Sequence, residues 1–309
     1  MSAVLGIDLG ATNIKAVVAS PAGNVCHREV RPSDVAEGPE ATLRRVVELA
    51  REMRAAQPFG AMGIGVCGPV DAEAGLLHES PVLPGWSNVP VVDVIAEQID
   101  LPVYLENDAS CAILGEWWLG AGGRERVVAG VTLGTGIGGG LVLDGAVYRG
   151  GTGWGGEFGH VSVASEPLCP CGGRGCLGRL ASATATVARY RELGGGDVDG
   201  THELVLRAER GDAHAAAALT ETVDHLTRAV RILVNVLNPD VFVLAGGMAL
   251  WGDPLVHAVQ RGLDGTTFSG LDRTPVRAAQ LGHYSGALGA ARISLAPRRA
   301  SDSSRCAET

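Results

Sequence analysis

The sequence predicts an α/β fold of two related lobes with a cleft between them. Three observations carry that expectation. Apolar strand-like runs alternate with stretches of helical spacing along most of the 309 residues, the pattern of layered α/β domains. A strand, a glycine-bearing turn and further strands open the chain in GIDLGATNIKAVVAS. The same theme restarts in RVVAGVTLGTGIGGGLVLDGAVYRGG (126–151), so the two halves read as copies of one design.

VLGIDLG (4–10), KAVVAS (15–20) and GNVCHREV (23–30) predict three antiparallel strands joined by tight turns. Residues 40–57 space Leu43, Val46, Val47, Ala50 and Met53 as one helical face. AMGIGVCG (61–68) reads as a buried strand, VPVVDVIAEQI (89–99) as a helix and LPVYLEND (101–108) as a strand. That strand runs straight into a helix, DASCAILGEWWLGA (108–121). After the second strand set come helical stretches, chiefly 212–237, then VFVLAGGMAL (241–250), a strand followed by a Gly-Gly turn, a short strand in TPVRAAQL and a final helix over 285–296. The tail 298–309 lacks apolar periodicity and is expected to be disordered. The expected lobes are 1–118 with 285–297 (small) and 119–284 (large).

Apolar residues make up 46% of the chain, which predicts a globular protein, and the net charge of −9 argues against nucleic acid or anionic membranes as partners. No signal-peptide pattern precedes the first strand, and no apolar run reaches the ~18 residues needed to span a bilayer. A cytoplasmic location is therefore expected. The seven cysteines agree, being odd in number with one tight cluster.

DLGATN (8–13) joins strand to strand, so it is not the dinucleotide fingerprint, which opens a helix. A Gly/Thr hairpin presents backbone N–H groups at a bend and suits phosphate oxygens. Asp8, at the strand end, is placed to hold Mg²⁺ through water. LGTGIGGG (133–140) repeats the geometry, and AGGM (245–248) adds a third glycine turn at a strand end. In LENDAS, Asp108 stands where a strand meets a helix. It either caps that helix or acts as a general base aligned with an acceptor hydroxyl, and both readings stay open.

Cys169, Cys171 and Cys176 lie in a glycine-rich loop with His160 nine residues upstream. Three thiolates and one imidazole complete a tetrahedral Zn²⁺ shell and leave no open position, so the expected metal is structural. Gly, Pro and Arg surround the cysteines, which argues against a buried core role.

The motifs together resemble the ROK family (repressors, open reading frames and kinases), especially its bacterial glucokinases, within the sugar kinase, heat-shock 70 and actin superfamily. The matching residues are DLGATNIK, GVCGPVD (65–71), LPGWSNVP (83–90), LENDA, LGTGIGGGLVLDGAVYRG, GEFGH (156–160) and CPCGGRGCL (169–177). The resemblance implies the actin-like ATPase (ribonuclease H-like) fold with an interlobe cleft. It implies an ATP-dependent kinase acting on the primary hydroxyl of a hexose, with Asp108 as base. Asn107, Glu157, His160 and Gly68 would meet the sugar. Asp8, Gly10, Ala11, Thr12, Asn13, Thr135, Gly136, Gly246 and Gly247 would line the ATP and Mg²⁺ site. A homo-oligomer, dimer or tetramer, is also implied.

The chain departs from the family at Gly178, where a glutamate usually follows Cys-Leu and contacts hydroxyls near the anomeric carbon. The family's frequent Asn near Val82 is also missing. These departures admit an alternative acceptor, a C7-cyclitol of the valiolone or valienone type or an N-acylhexosamine. A non-catalytic sugar sensor is a remote alternative, opposed by Asp108 and the three glycine turns. A repressor would need an N-terminal helix-turn-helix before the first strand, which here begins at about Val4, and a charge less negative than −9.

Overall fold

The computed structural model describes residues 2–80, 82–264 and 274–295. The first half contains β1 (Val4–Leu9), β2 (Asn13–Ala19), β3 (Val25–Pro32), α1 (Pro39–Ala56), β4 (Met62–Val66), β5 (Val70–Asp71), β6 (Leu76–Glu79), β7 (Ser87–Val89), α2 (Val91–Ala96), β8 (Val103–Asn107) and α3 (Asp108–Leu119). The second contains β9 (Val127–Leu133), β10 (Ile137–Leu143), β11 (Ala146–Val147), α4 (Leu177–Ala181), α5 (Ala183–Glu192), α6 (Thr201–Glu209), α7 (Ala213–Leu237), β12 (Val241–Ala245), α8 (Asp253–Leu263), β13 (Val276–Ala278) and α9 (Ser285–Ser294).

Two five-stranded sheets carry the architecture, in orders β3-β2-β1-β4-β8 and β11-β10-β9-β12-β13. Each is an antiparallel triplet continued by parallel strands, since β1 pairs parallel with β4 and β9 parallel with β12. The repeat expected from the sequence is therefore a repeat of topology.

Apolar residues of β1, β2, β4 and β8 pack on α1 and α2, with Leu5, Ile7, Val46, Leu49, Ile64 and Leu105 all buried. A second core joins β9, β12, α7 and α8. Helix α7 forms because Ala218, Leu226, Ala229 and Leu233 recur on one buried stripe, which Thr222 joins by hydrogen-bonding its hydroxyl to the Ala218 carbonyl. Asp212 caps it, accepting from the His214 and Ala215 amides.

Helices α3 and α9 lie between the sheets and touch each other along their length. Small residues permit that approach. A Cβ at Gly289 of α9 would overlap the Cys111 carbonyl of α3. Among the described residues no helix is long and apolar enough to cross a membrane.

Two expectations are corrected. The helix expected over 89–99 is confined to Val91–Ala96. Ser87–Val89 pair instead with β6, and Leu101 precedes Pro102, which forces extended backbone. The three-stranded sheet β5-β6-β7 was not expected at all. The tail 298–309 lies outside the described residues.

Candidate active site

Several of the expected site residues stand at the C-terminal ends of parallel strands, the ligand-facing edge of an α/β sheet. Asp8 is the last residue but one of β1, Asn107 ends β8, and Gly246 and Gly247 follow β12. A cavity of about 230 Å³ lies among them, lined by Asp8, Lys15, Asp108, Thr132, Gly246 and Gly247, with Ser285 and Gly286 of α9. Residues of both sheets face it.

Hairpin tips Gly10–Asn13 and Thr135–Gly136 stand outside that lining. Ala11, Thr12, Thr135 and Gly136 are exposed, which leaves their backbone groups available to a ligand. The second hairpin is braced from behind by α5: the Ala183 amide donates to the Gly134 carbonyl at 2.9 Å and the Thr184 hydroxyl to the Thr135 carbonyl at 2.9 Å.

The helix-capping question at LEND resolves in favour of Asn107. Its Oδ1 accepts from the Ser110 amide at 3.0 Å, and its Nδ2 donates to the Gly68 carbonyl at 3.2 Å. Asp108 accepts from the Ala109 amide next to it, at 2.9 Å, and its side chain lines the cavity. Asn107 keeps one N–H and one lone pair for a further partner.

Burial of the Asp108 carboxyl, with the like charges of Asp8 and Glu157 nearby, pushes it up to about 6, against the Ala109 amide. A base poised there is ionised near neutrality yet basic enough to take a proton.

Three side chains were not singled out from sequence. The Lys15 amine lies 3.0 Å from Asp8 Oδ2, making the cavity less negative. The two residues face each other in the β1–β2 register, so the pair is legible only once the hairpin register is known. Glu106, almost fully buried, accepts from Arg149 Nε at 2.7 Å and from the Asn107 amide at 3.0 Å. This ties the end of β8 to the segment after β11. Burial pushes the Glu106 carboxyl up, and Arg149 and the Asn107 amide oppose it.

The loop of 157–180 brings its four metal-ligand types together. Ligand atoms of His160, Cys169, Cys171 and Cys176 all lie within 4.8 Å of one another. Cys169 Sγ is 3.7 Å from His160 Nδ1, and Cys171 Sγ is 3.6 Å from Cys176 Sγ. Zn–S bonds of ~2.3 Å in a tetrahedron give S···S edges of about 3.8 Å, so the donor set fits Zn²⁺ in type, number and spacing. Nδ1 faces the sulfurs, which leaves Nε2 for another partner. Glu157 and His160 are exposed at the ends of one short 3₁₀ turn.

Gly178 is the second residue of α4 and lies beside the Gly159 carbonyl. A Cβ there would meet that oxygen at 3.4 Å, an ordinary contact. Thr135, Gly178 and Arg179 line a neighbouring cavity of about 670 Å³.

The chain belongs to the ROK family, whose model matches residues 4–297. It is 36% identical to the glucokinase of Thermotoga maritima, over 94% of this chain and 96% of that one. The ROK hexokinase structure from Thermus thermophilus superposes with a TM-score of 0.83 at 34% identity, covering 95% and 98% of the two chains. A ROK glucokinase from Streptomyces griseus, solved with glucose and AMPPNP, gives a TM-score of 0.82 at 28% identity over 95% and 99%. The fold is thus the two-lobed actin-like ATPase fold of the ROK sugar kinases.

Proposed function

We propose that the chain transfers the γ-phosphoryl group of ATP to the 6-hydroxyl of a hexose, with glucose the first candidate. The observation that carries this reading is Asp108. Asn107 performs the capping, so the Asp108 carboxylate faces a cavity bounded by the Gly246–Gly247 turn and an Asp8–Lys15 pair. In the reaction Asp108 accepts the hydroxyl proton as that oxygen attacks the γ-phosphorus and ADP leaves.

Gly10–Asn13 and Thr135–Gly136 receive the donor phosphates through backbone N–H groups, and Gly246 and Gly247 the adenosine. Asn107, Gly68, Glu157 and the Nε2 side of His160 hold sugar hydroxyls. Asp8 is the residue that would hold Mg²⁺, which when bound offsets phosphate charge. His160, Cys169, Cys171 and Cys176 would hold a structural Zn²⁺ that fixes the His160 ring. The small lobe comprises 1–118 with 285–297 and the large lobe 119–284. Homo-oligomerisation goes with this reading and is checked by light scattering.

A second acceptor class is favoured by Gly178. The position has room for a side chain and bears none, and it adjoins the 670 Å³ cavity. A C7-cyclitol or an N-acylhexosamine would use that space and forgo the absent carboxylate.

Steady-state phosphorylation of glucose, mannose, N-acetylmannosamine and valiolone-type cyclitols separates the acceptors by kcat/KM. Highest efficiency on glucose would remove the weight placed on Gly178. Asp108→Asn should bind ATP and acceptor but lose at least about a thousandfold in kcat; retained turnover would remove Asp108 as base.

A further inference from the structure

The chain crosses between the two sheets twice, at 120–126 from α3 to β9 and at 279–284 from β13 to α9. One fully buried carboxylate, Glu116, holds both crossings. Its Oε2 accepts from the Ala121 amide at 2.9 Å and the Gln280 amide at 2.9 Å, and its Oε1 from the Leu281 amide at 2.9 Å. None of these donors belongs to its own helix. The Glu116 main-chain carbonyl accepts from Gly120 at 3.0 Å and Gly122 at 2.9 Å. Arg277, in β13, donates to the Ala121 carbonyl at 3.0 Å, so the crossings are also tied to each other. A Cβ at position 120 would overlap Glu116 Oε2, so a side chain there would push the carboxylate from its place.

A buried charge is costly unless its lone pairs are met. Here three backbone N–H groups meet it, and such charge-assisted bonds are strong and directional. An apolar plug would fill the space but would not fix the backbone of two segments to one point.

The location gives this pin a use. Asp108 heads α3, and Glu116 lies eight residues on, roughly 12 Å along the same rigid helix. The segment that Glu116 grips continues at once into Gly282, His283, Ser285 and Gly286. Those four line the 230 Å³ cavity together with Asp8 and Asp108, and Gly286 packs against the Asp8 carboxylate. One helix therefore carries the base at its head and, near its other end, the anchor of the wall that faces the donor.

The geometry points to Glu116 as a positioning residue of phosphoryl transfer: it fixes the 279–284 segment, and with it the donor cavity, relative to Asp108. The inference rests on reading the cleft as that of an ATP-dependent sugar kinase. It concerns the hinge behind the site, and no atom of Glu116 touches substrate.

Glu116→Gln keeps the shape and turns one acceptor into an NH₂ group facing a backbone N–H. The folded variant, checked by its melting transition, should show kcat lowered about tenfold to a hundredfold, the cost of a small misalignment. KM for ATP should rise, KM for the sugar should hold, and ATP hydrolysis should increase relative to sugar phosphorylation. A variant that melts lower yet keeps wild-type kcat, KM for ATP and coupling ratio would overturn the role.

If Glu116→Gln does not fold, Arg277→Ala removes only the Ala121 carbonyl contact and should give the same ATP-selective split at smaller amplitude; no split would overturn it. In the wild-type protein the Ala121, Gln280 and Leu281 amides should exchange hydrogen more slowly than their neighbours in the crossings. Fast exchange there would overturn the pin without any variant. A wild-type protein that phosphorylates no sugar would overturn the kinase reading and this role with it, and slow exchange at those amides would tell that failure from a missing pin.

Discussion

The two glycine-bearing hairpins share a topology and differ in charge. In the first, Leu9 pairs with Ile14 around four residues, and the next pair outward is Asp8 with Lys15. In the second, Leu133 pairs with Ile137 around three residues, and the next pair outward is Thr132 with Gly138. Both offer backbone N–H groups at a bend. Only the first adds an anion and a cation, and it lies on the side that also carries Asp108. The shared topology repeats the bend, and divergence at two cross-strand positions sets the charge beside it. The like charge of Asp8 adds to burial in raising the Asp108 carboxyl, which a threonine at that position could not do.

Asp8→Asn should break this asymmetry most severely. It removes the proposed Mg²⁺ ligand and the cavity's second anion, so kcat should fall about a hundredfold or more, as for loss of one preorganised electrostatic group. The acid limb of the surviving activity should move to lower pH, because a like charge no longer opposes ionisation of Asp108. An unmoved limb would uncouple the two carboxylates.

The large lobe has its own device, the Cys/His cluster, whose effect should fall on the acceptor alone. Removal of Zn²⁺ by chelation, or Cys171→Ser, should raise KM for the sugar by about tenfold or more while sparing KM for ATP, as loss of a ligand-orienting contact does. Elemental analysis should find one zinc per chain before treatment. Absence of zinc from protein purified without chelator would remove the metal from the site.

The smallest effects compare the paired positions directly. Lys15→Met should raise KM for ATP about tenfold, since a contact to a charged group is lost, whereas Thr132→Val should change it about threefold at most. Equal effects would mean that the hairpins differ in sequence but not in use.

Much of this was legible in the sequence because the pattern was long and periodic. The strand triplets, α1 and α7 each repeat apolar residues over many positions. The sheet β5-β6-β7 was not legible, as its strands span two to four residues and none is long enough to show alternation. At LEND the sequence offered two adjacent capping residues. Only the geometry shows that Asn107 accepts from Ser110 and so leaves Asp108 to the cleft. The clustering of His160 with Cys169, Cys171 and Cys176 was legible from ligand types alone, although two of the cysteines turn out to be buried. Glu116 was invisible in the same way that Lys15 was. It reads as one polar residue in an apolar helix, and its three partners come from segments as far as 165 residues away in sequence.

The central claim is that Asp108 is a base tuned by burial and by Asp8, and its pH profile tests this most directly. A folded-state pKa raised to about 6 means the carboxyl is protonated, and inactive as a base, below that pH. By the same sign, it contributes stability below the ordinary carboxylate range that is lost as pH rises through about 6, so Asp108→Asn should be the more stable protein above that pH. The decisive measurement is kcat/KM for the preferred sugar from pH 4.5 to 8 at saturating ATP. The expected result is an acid limb with its midpoint near 6 that disappears in the residual activity of Asp108→Asn. A profile flat down to pH 5, or the same limb in that variant, would contradict it.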